Sequence, residues 1–289
     1  MDVDRWCHEQ LGSGVAVVRW FREGTGLVWG VDLDDGRPVV VKAHRRGHVP
    51  DEHLMAFVDV QRRVADVHAW APMPLAGPAP FGDRVATAEA LLADGVPAPD
   101  PATMAGALRA LVDAAGAPPP GLFELWSFPT LWPPPHQEHI DLHAAGGEWI
   151  DQIAAAARAR MRAQRGAPLV VGHVDWRCEH VLVDPATTAV RAVHDWDSLT
   201  AGPEAWIAGA ASVCFTVDFN AGDGSPARWP APSESAAFLA AYDPTGRLDA
   251  EQVSAAGDYH LAYIARCVHS VGGFPEVADL LSERASGHR

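Results

Sequence analysis

The sequence predicts an α+β chain, with a strand-rich first ninety residues followed by a longer, mainly helical part. Three observations carry this. Short apolar runs separated by tight turns fill residues 15–43. Alanine-rich stretches with helical spacing dominate beyond residue 100. Between the two, Pro97, Pro99 and Pro101 mark a loop. At 289 residues and 48% hydrophobic, the chain has enough apolar side chains for one large core or two packed lobes.

Taken in order, residues 15–22 (VAVVRWFR) and 27–33 (LVWGVDL) flank Glu23-Gly24-Thr25-Gly26, which is a hairpin signal. Asp34-Asp35-Gly36 then turns the chain into a third strand, residues 37–43, near whose end stands Lys42. Leu54, Phe57, Val58, Val64 and Val67 recur at helical spacing, so residues 53–67 are expected as the single helix of this part. Residues 75–80 read as loop, and 84–92 as a last strand running into a connector. The simplest division is an N-terminal lobe of residues 1–88, a connector at 89–93 and a C-terminal lobe of 94–289. Helices are expected in the latter at 104–115, 148–163, 205–219, 234–242 and 250–271, with a short buried strand at 169–171. Phe123, Trp126, Phe128 and Trp132 lie in an irregular stretch between two proline clusters.

Charge narrows the function classes. Twenty-two basic against 37 acidic residues give a formal charge of −15, which repels nucleic acid and anionic membrane. The same charge serves solubility, or the attraction of a cationic small molecule. No stretch approaches the roughly 20 apolar residues of a spanning helix, and the acidic start MDVDRWCHEQ has no signal-peptide pattern. Cys7, Cys178, Cys214 and Cys267 are widely spaced, as expected of a chain in the reducing cytoplasm. Oligomeric state is not legible. Of the 22 basic residues only Lys42 is a lysine, so the compact ammonium is kept at one place in the chain.

Two segments of the C-terminal part carry the chemistry. Gly172-His173-Val174-Asp175-Trp176-Arg177-Cys178-Glu179-His180-Val181-Leu182-Val183 and Val190-Arg191-Ala192-Val193-His194-Asp195-Trp196-Asp197 each set a carboxylate beside a short apolar run. Asp184-Pro185-Ala186-Thr187-Thr188 turns between them, so the pair reads as a hairpin with both acids at one end. Phosphoryl transfer requires such a set: one carboxylate to orient the acceptor hydroxyl and take its proton, another to hold a metal against the phosphates, and a lysine to steady those phosphates.

On these residues the chain resembles the aminoglycoside phosphotransferase and choline-kinase-like group of small-molecule kinases. The resemblance rests on His173, Asp175, Val181-Leu182 and Asp195-Trp196-Asp197, with Lys42 on the third strand, and it extends over most of the chain. It implies a two-lobed protein-kinase-like fold with ATP, or GTP, and Mg²⁺ in the cleft, and a small-molecule hydroxyl as acceptor. It further implies Asp175 as catalytic base, Asp195 as metal ligand, Lys42 on the α- and β-phosphates, and the backbone of Glu89, Ala90 and Leu91 at the adenine.

Three departures are visible. Val174 occupies the usual glycine position, and His180 the position of a metal-binding asparagine, which makes His180 the candidate second ligand. No glutamate is evident on the helix to pair with Lys42; Asp59 is the nearest carboxylate and is assigned that role, with Gln61 close by. Other readings compete. A kinase-fold protein that sequesters a ligand without turnover fits Val174 and His180. A zinc site could be built from His136, Glu138, His139, Asp141 and His143. Asp218, Asp223, Glu234, Asp243 and Asp258 could form an acidic acceptor pocket or a solvated face. Asp197 is either a second metal contact or a structural acid, His173 is read as structural, and Trp176 and Trp196 as core.

Overall fold

Where the acidic N-terminus gave no strand signal, a helix forms. The Asp2 carboxylate accepts the Asp4 N–H at 2.7 Å, and Gly12, at φ 72, ends helix α1 (Val3–Leu11) in the left-handed region. The N-terminal part thus holds two helices, not one. In the computed structural model, residues 2–46, 49–92, 95–133, 139–161, 166–219, 228–272 and 275–287 are described.

Five strands follow α1 in an antiparallel sheet: β1 (Val15–Glu23), β2 (Leu27–Leu33), β3 (Pro38–Arg45), β4 (Pro74–Phe81) and β5 (Arg84–Ala90), in the order β1-β2-β3-β5-β4. Residues 75–80 are therefore strand, not the expected loop. Their prolines argue against a central strand, but β4 lies at the sheet edge, where a missing N–H costs no ladder bond. Helix α2 (Asp51–Ala65) connects β3 to β4, two residues earlier than its apolar spacing suggests at either end.

In the second part, β6 (Val96–Pro97) leads to α3 (Pro101–Ala115), which starts at Pro101 because the Asp100 carboxylate accepts the Thr103 N–H at 2.8 Å. Helix α4 (Glu148–Met161) precedes β7 (Leu169–His173). Strands β8 (Val181–Val183) and β9 (Val190–Val193) form the expected hairpin, with β6 alongside β8. Strand β10 (Leu199–Pro203) pairs with β7 and runs directly into α5 (Glu204–Ser212), which is shorter than the predicted 205–219. Helices α6 (Pro232–Tyr242), α7 (Ala250–Val271) and α8 (Pro275–Gly287) complete the chain. None of the helices among the described residues is long and apolar enough to cross a membrane.

The cores do not follow the order of the chain. Trp6 and Cys7 of α1 pack with Val31, Val39, Val41, Phe81 and Ala88 of the sheet. Helix α2 instead turns Leu54, Phe57, Val60 and Val64 into the cluster of Met104, Leu108, Trp176, Trp196 and Phe215. It comes from the N-terminal part but shares its core with the helical part. A third cluster joins α4 to α7 through Ile150, Ala154, Ala255 and Tyr259.

Helices α5 and α7 touch at Gly209, where an added Cβ would stand 2.2 Å from the Val253 carbonyl oxygen and 3.0 Å from Ala256 Cβ. Because α5 continues β10, which backs the catalytic segment, the prediction is specific. Gly209→Ala should destabilise the protein by about 1–3 kcal/mol through overpacking, read as a fall of several degrees in Tm. An unchanged Tm would show that α7 yields at this contact.

Candidate active site

Strand β3 sets Lys42 opposite Val28 of β2 and Thr87 of β5. Its ammonium lies 3.3 Å from Glu89 Oε1 and 3.8 Å from Asp197 Oδ1, with only 13% of the side chain exposed. Burial works against the ammonium, but Glu89, Asp197 and Asp195 outweigh it and hold its pKa above the ordinary lysine value. Asp59 does not take this role. It faces outward on α2, 56% exposed and 3.3 Å from Arg63 of the next turn. At the site-facing position of the helix stands Gln61, which donates to Glu89 Oε2 at 2.7 Å and to the Pro72 carbonyl at 2.9 Å.

Glu89 and Ala90 are strand residues rather than connector, and the Glu89 side chain is buried. The N–H of Ala90 donates to Met73 O at 2.9 Å and that of Leu91 to Pro38 O at 3.1 Å. Of the three residues whose backbone the sequence reading placed at the adenine, Ala90 and Leu91 therefore have their N–H groups engaged within the protein. Residues 93–94 of the connector lie outside the described residues.

Asp175 follows β7 and Asp195 follows β9, and a short 3₁₀ turn (Cys178–His180) presents His180. Ligand atoms of Asp175, His180 and Asp195 lie within 4.8 Å of one another. Arg177 stands between them, its Nη2 donating to Asp175 Oδ2 at 2.6 Å and lying 2.9 Å from His180 Nε2. The same guanidinium pairs with Glu179 and stacks over Phe219 at 4.7 Å. Burial opposes the Asp175 charge, yet Arg177 and His180 hold the carboxyl well below the usual range. His180 is held the other way: burial disfavours its proton, but the bond to Asp175 and the nearby Asp195 raise its pKa. Two carboxylates and an imidazole make a donor set that fits a divalent cation, the oxygens suiting a hard ion and the nitrogen a softer one.

Asp195 itself has φ 62, in the left-handed region where a β-carbon is disfavoured. Ser198 braces it, the hydroxyl donating to Asp195 Oδ2 at 2.7 Å and the N–H to its carbonyl at 3.0 Å. Asp197 faces Lys42 and, at 3.8 Å, His44 Nδ1. Burial pushes its carboxyl up, but Lys42 and His44 bring it down to about 2. His53 of α2 accepts the Phe123 N–H on Nδ1 at 3.1 Å and reaches the Asp197 carbonyl with Nε2 at 3.4 Å. Beneath the site His173 is fully buried against the His194 carbonyl, and Trp176 and Trp196 are fully buried. Val174 keeps its backbone paired, the N–H donating to Ser198 O at 3.1 Å.

Sequence reasoning missed the side chains of Glu89, Arg177 and His44. Two had a signal: His44 shares the face of Lys42 by strand alternation, and Arg177 is two residues from Asp175, whereas Glu89, two residues beyond the Thr87 opposite Lys42, is placed by the β3–β5 register.

Three of the five acids that could form an acceptor pocket or a solvated face are held by internal partners. Glu234 binds Arg228 and the Ala231 N–H, Asp243 the Leu248 N–H, and Asp258 both Arg160 and Arg284. Asp223 lies outside the described residues, as do His136 and Glu138 of the histidine segment. Among the described residues, no metal-capable group includes His139, Asp141 or His143.

With this geometry in view, the relatives are informative. Residues 10–247 match the family model APH, described as a phosphotransferase enzyme family. The chain belongs to that family and is a phosphotransferase with an alcohol group as acceptor. Its fold recurs in amicoumacin kinase hAmiN in complex with AMP-PNP, Ca²⁺ and Ami, at 11% identity and TM-score 0.65 over 92% of this chain and 86% of that one. It is also that of choline kinase LicA from Streptococcus pneumoniae, at 12% identity and TM-score 0.62 over 99% and 96%. A thermostable mutant of aminoglycoside phosphotransferase APH(4)-Ia, a ternary complex with AMP-PNP and hygromycin B, gives 16%, 0.58, 99% and 97%. A search of curated proteins finds no match.

Near the site, His260 of α7 is 5% exposed, and neither ring nitrogen has a protein partner. Burial lowers its pKa from 6.5 to about 4, so the unfolded chain binds the proton that the folded chain refuses. Stability should therefore fall as pH drops from 6.5 towards 4. His260→Phe should flatten the stability profile over this window in chemical denaturation; an unchanged slope would assign the loss to other groups.

Proposed function

We propose that the chain is an ATP-dependent O-phosphotransferase acting on a hydroxyl of a small polar molecule. One observation carries the reading. The lone lysine of the sheet reaches, at 3.8 Å, the Asp197 that ends the Asp195-Trp196-Asp197 segment, whose first residue shares a cation-sized space with Asp175 and His180. Lys42 would hold the α- and β-phosphates and Asp195 the divalent cation, taken as Mg²⁺, with His180 as second ligand. The cation neutralises phosphate charge when bound. Asp175 would orient the acceptor hydroxyl and receive its proton, with Arg177 withdrawing from Oδ2 as the acceptor arrives. Adenine recognition at the connector would use carbonyl oxygens around Glu89 to Leu91, since the N–H groups of Ala90 and Leu91 are engaged. The nucleotide is ATP or GTP. An acceptor such as an aminoglycoside, a peptide antibiotic or an amino sugar fits the net charge of −15, although Glu234, Asp243 and Asp258 are held in internal bonds.

The competing reading, a ligand-sequestering protein without turnover, draws on Arg177 and His180, which both crowd Asp175 Oδ2. Calorimetry separates the two. ATP should bind more tightly with Mg²⁺ and lose that dependence in Asp195→Ala, while Asp175→Ala should keep binding and lose transfer by about 10²–10⁴-fold. Transfer that survives Asp175→Ala would sink the base assignment. The His180→Asn variant should keep or raise Mg²⁺-supported activity; total loss would mean that the imidazole has work of its own.

A further inference from the structure

We propose that Glu89 of β5 is the positioning residue of Lys42, the acid and amide having exchanged places between strand and helix. The inference rests on the kinase reading above. In protein kinases the β3 lysine is held by a glutamate of the helix after it. Here the carboxylates of α2 point elsewhere: Asp51 and Glu52 are exposed in its first turn, and Asp59 pairs with Arg63. The buried polar group that α2 sends to Glu89 is Gln61, 1% exposed.

Each atom of this arrangement has one partner chemistry. Glu89 Oε1 faces the Lys42 ammonium at 3.3 Å, and Oε2 accepts from Gln61 Nε2 at 2.7 Å. A glutamate at position 61 beside Glu89 would set two carboxylates against each other in a buried site, which strongly disfavours ionisation of both. With Glu89 in the strand, position 61 must be a donor, and glutamine supplies one of the same length. If glutamine stood at 89, a glutamate at 61 could accept from it and return the negative charge to the lysine.

The exchange alters what the pair depends on. Lys42 and Glu89 belong to adjacent, hydrogen-bonded strands, with Lys42 opposite Thr87 and Val40 opposite Glu89. Their spacing is set by sheet register, whereas a lysine–helix pair depends on where the helix lies. The backbone positions of the pair are thus fixed within the sheet, and α2 contributes only the Gln61 bond to Glu89 Oε2.

Lys42 is the only lysine, which makes the test direct. Wild type, Glu89→Gln, Glu89→Asp, and the double variant Glu89→Gln with Gln61→Glu are treated with an amine-acetylating ester, and Lys42 modification is followed by mass spectrometry against the terminal amine. ATP affinity with Mg²⁺ is measured alongside by calorimetry, and folding by circular dichroism. Glu89→Gln should speed Lys42 labelling and weaken ATP binding, each by about tenfold, as expected when a buried pair loses one member. The double variant should recover both to within about threefold, and Glu89→Asp should label more slowly than Glu89→Gln.

Wild-type labelling of Lys42 in Glu89→Gln would overturn the proposal. So would a folded double variant that behaves like Glu89→Gln. Equal labelling of Glu89→Asp and Glu89→Gln decides against it if the double variant does not fold. A wild type that binds neither ATP nor GTP defeats the kinase reading alone, because labelling still reports whether Glu89 holds the lysine.

Discussion

The site is organised around one buried ammonium between two carboxylates. Lys42 needs compensating charge to stay ionised out of water, and Glu89 and Asp197 supply it from opposite sides. One partner belongs to the sheet and the other to the segment that carries Asp195, so the electrostatic requirement of a single nitrogen joins the two parts of the chain. His44 and His53 extend the junction: the first faces the Asp197 carboxylate and the second its carbonyl. Each of these side chains is polar and poorly hydrated, and each is tolerable only because the others are present.

Across the cleft the same logic acts on Asp175. Arg177 and His180 hold the Asp175 carboxyl well below the usual range, so in the proposed role of base it would take a proton only once those donors are displaced. A cation beside His180 and Asp195 and an acceptor hydroxyl at Asp175 would displace them together.

Much of this was legible in the residues. Strand alternation and turn chemistry located β1, β2, β3 and β5, and the two acids beside short apolar runs marked the segments that the fold brings together at Asp175 and Asp195. What failed had physical causes. The strand at residues 74–81 was hidden by prolines that an edge position tolerates. Helix α1 was hidden because its cap and its terminating glycine surround a short polar segment without a long apolar stripe. The partner of Lys42 was sought along the chain, on α2, but it was fixed by the β3–β5 register, which local sequence does not encode. Whether the later acids gather or disperse was not legible, because carboxylates in sequence say nothing of the arginines that will claim them, as Arg160 and Arg284 claim Asp258.

The division of the cores bears on how such a molecule moves. Helix α2 shares its apolar face with α3, the catalytic segment and Val85 of the sheet, and lies against β4, whereas α1 packs with Val31, Val39, Val41 and Phe81 of the sheet. His53 also fastens the start of α2 to Phe123 and to Asp197. Helix α2 is also tied to the sheet, through the Gln61 bond to Glu89 and through Val85 in its apolar cluster, so it is held by both parts of the chain. A shift of the sheet would carry Lys42 and Glu89 together, because they share one sheet, but it would have to give up the bonds from Gln61 to Glu89 and from Lys42 to Asp197.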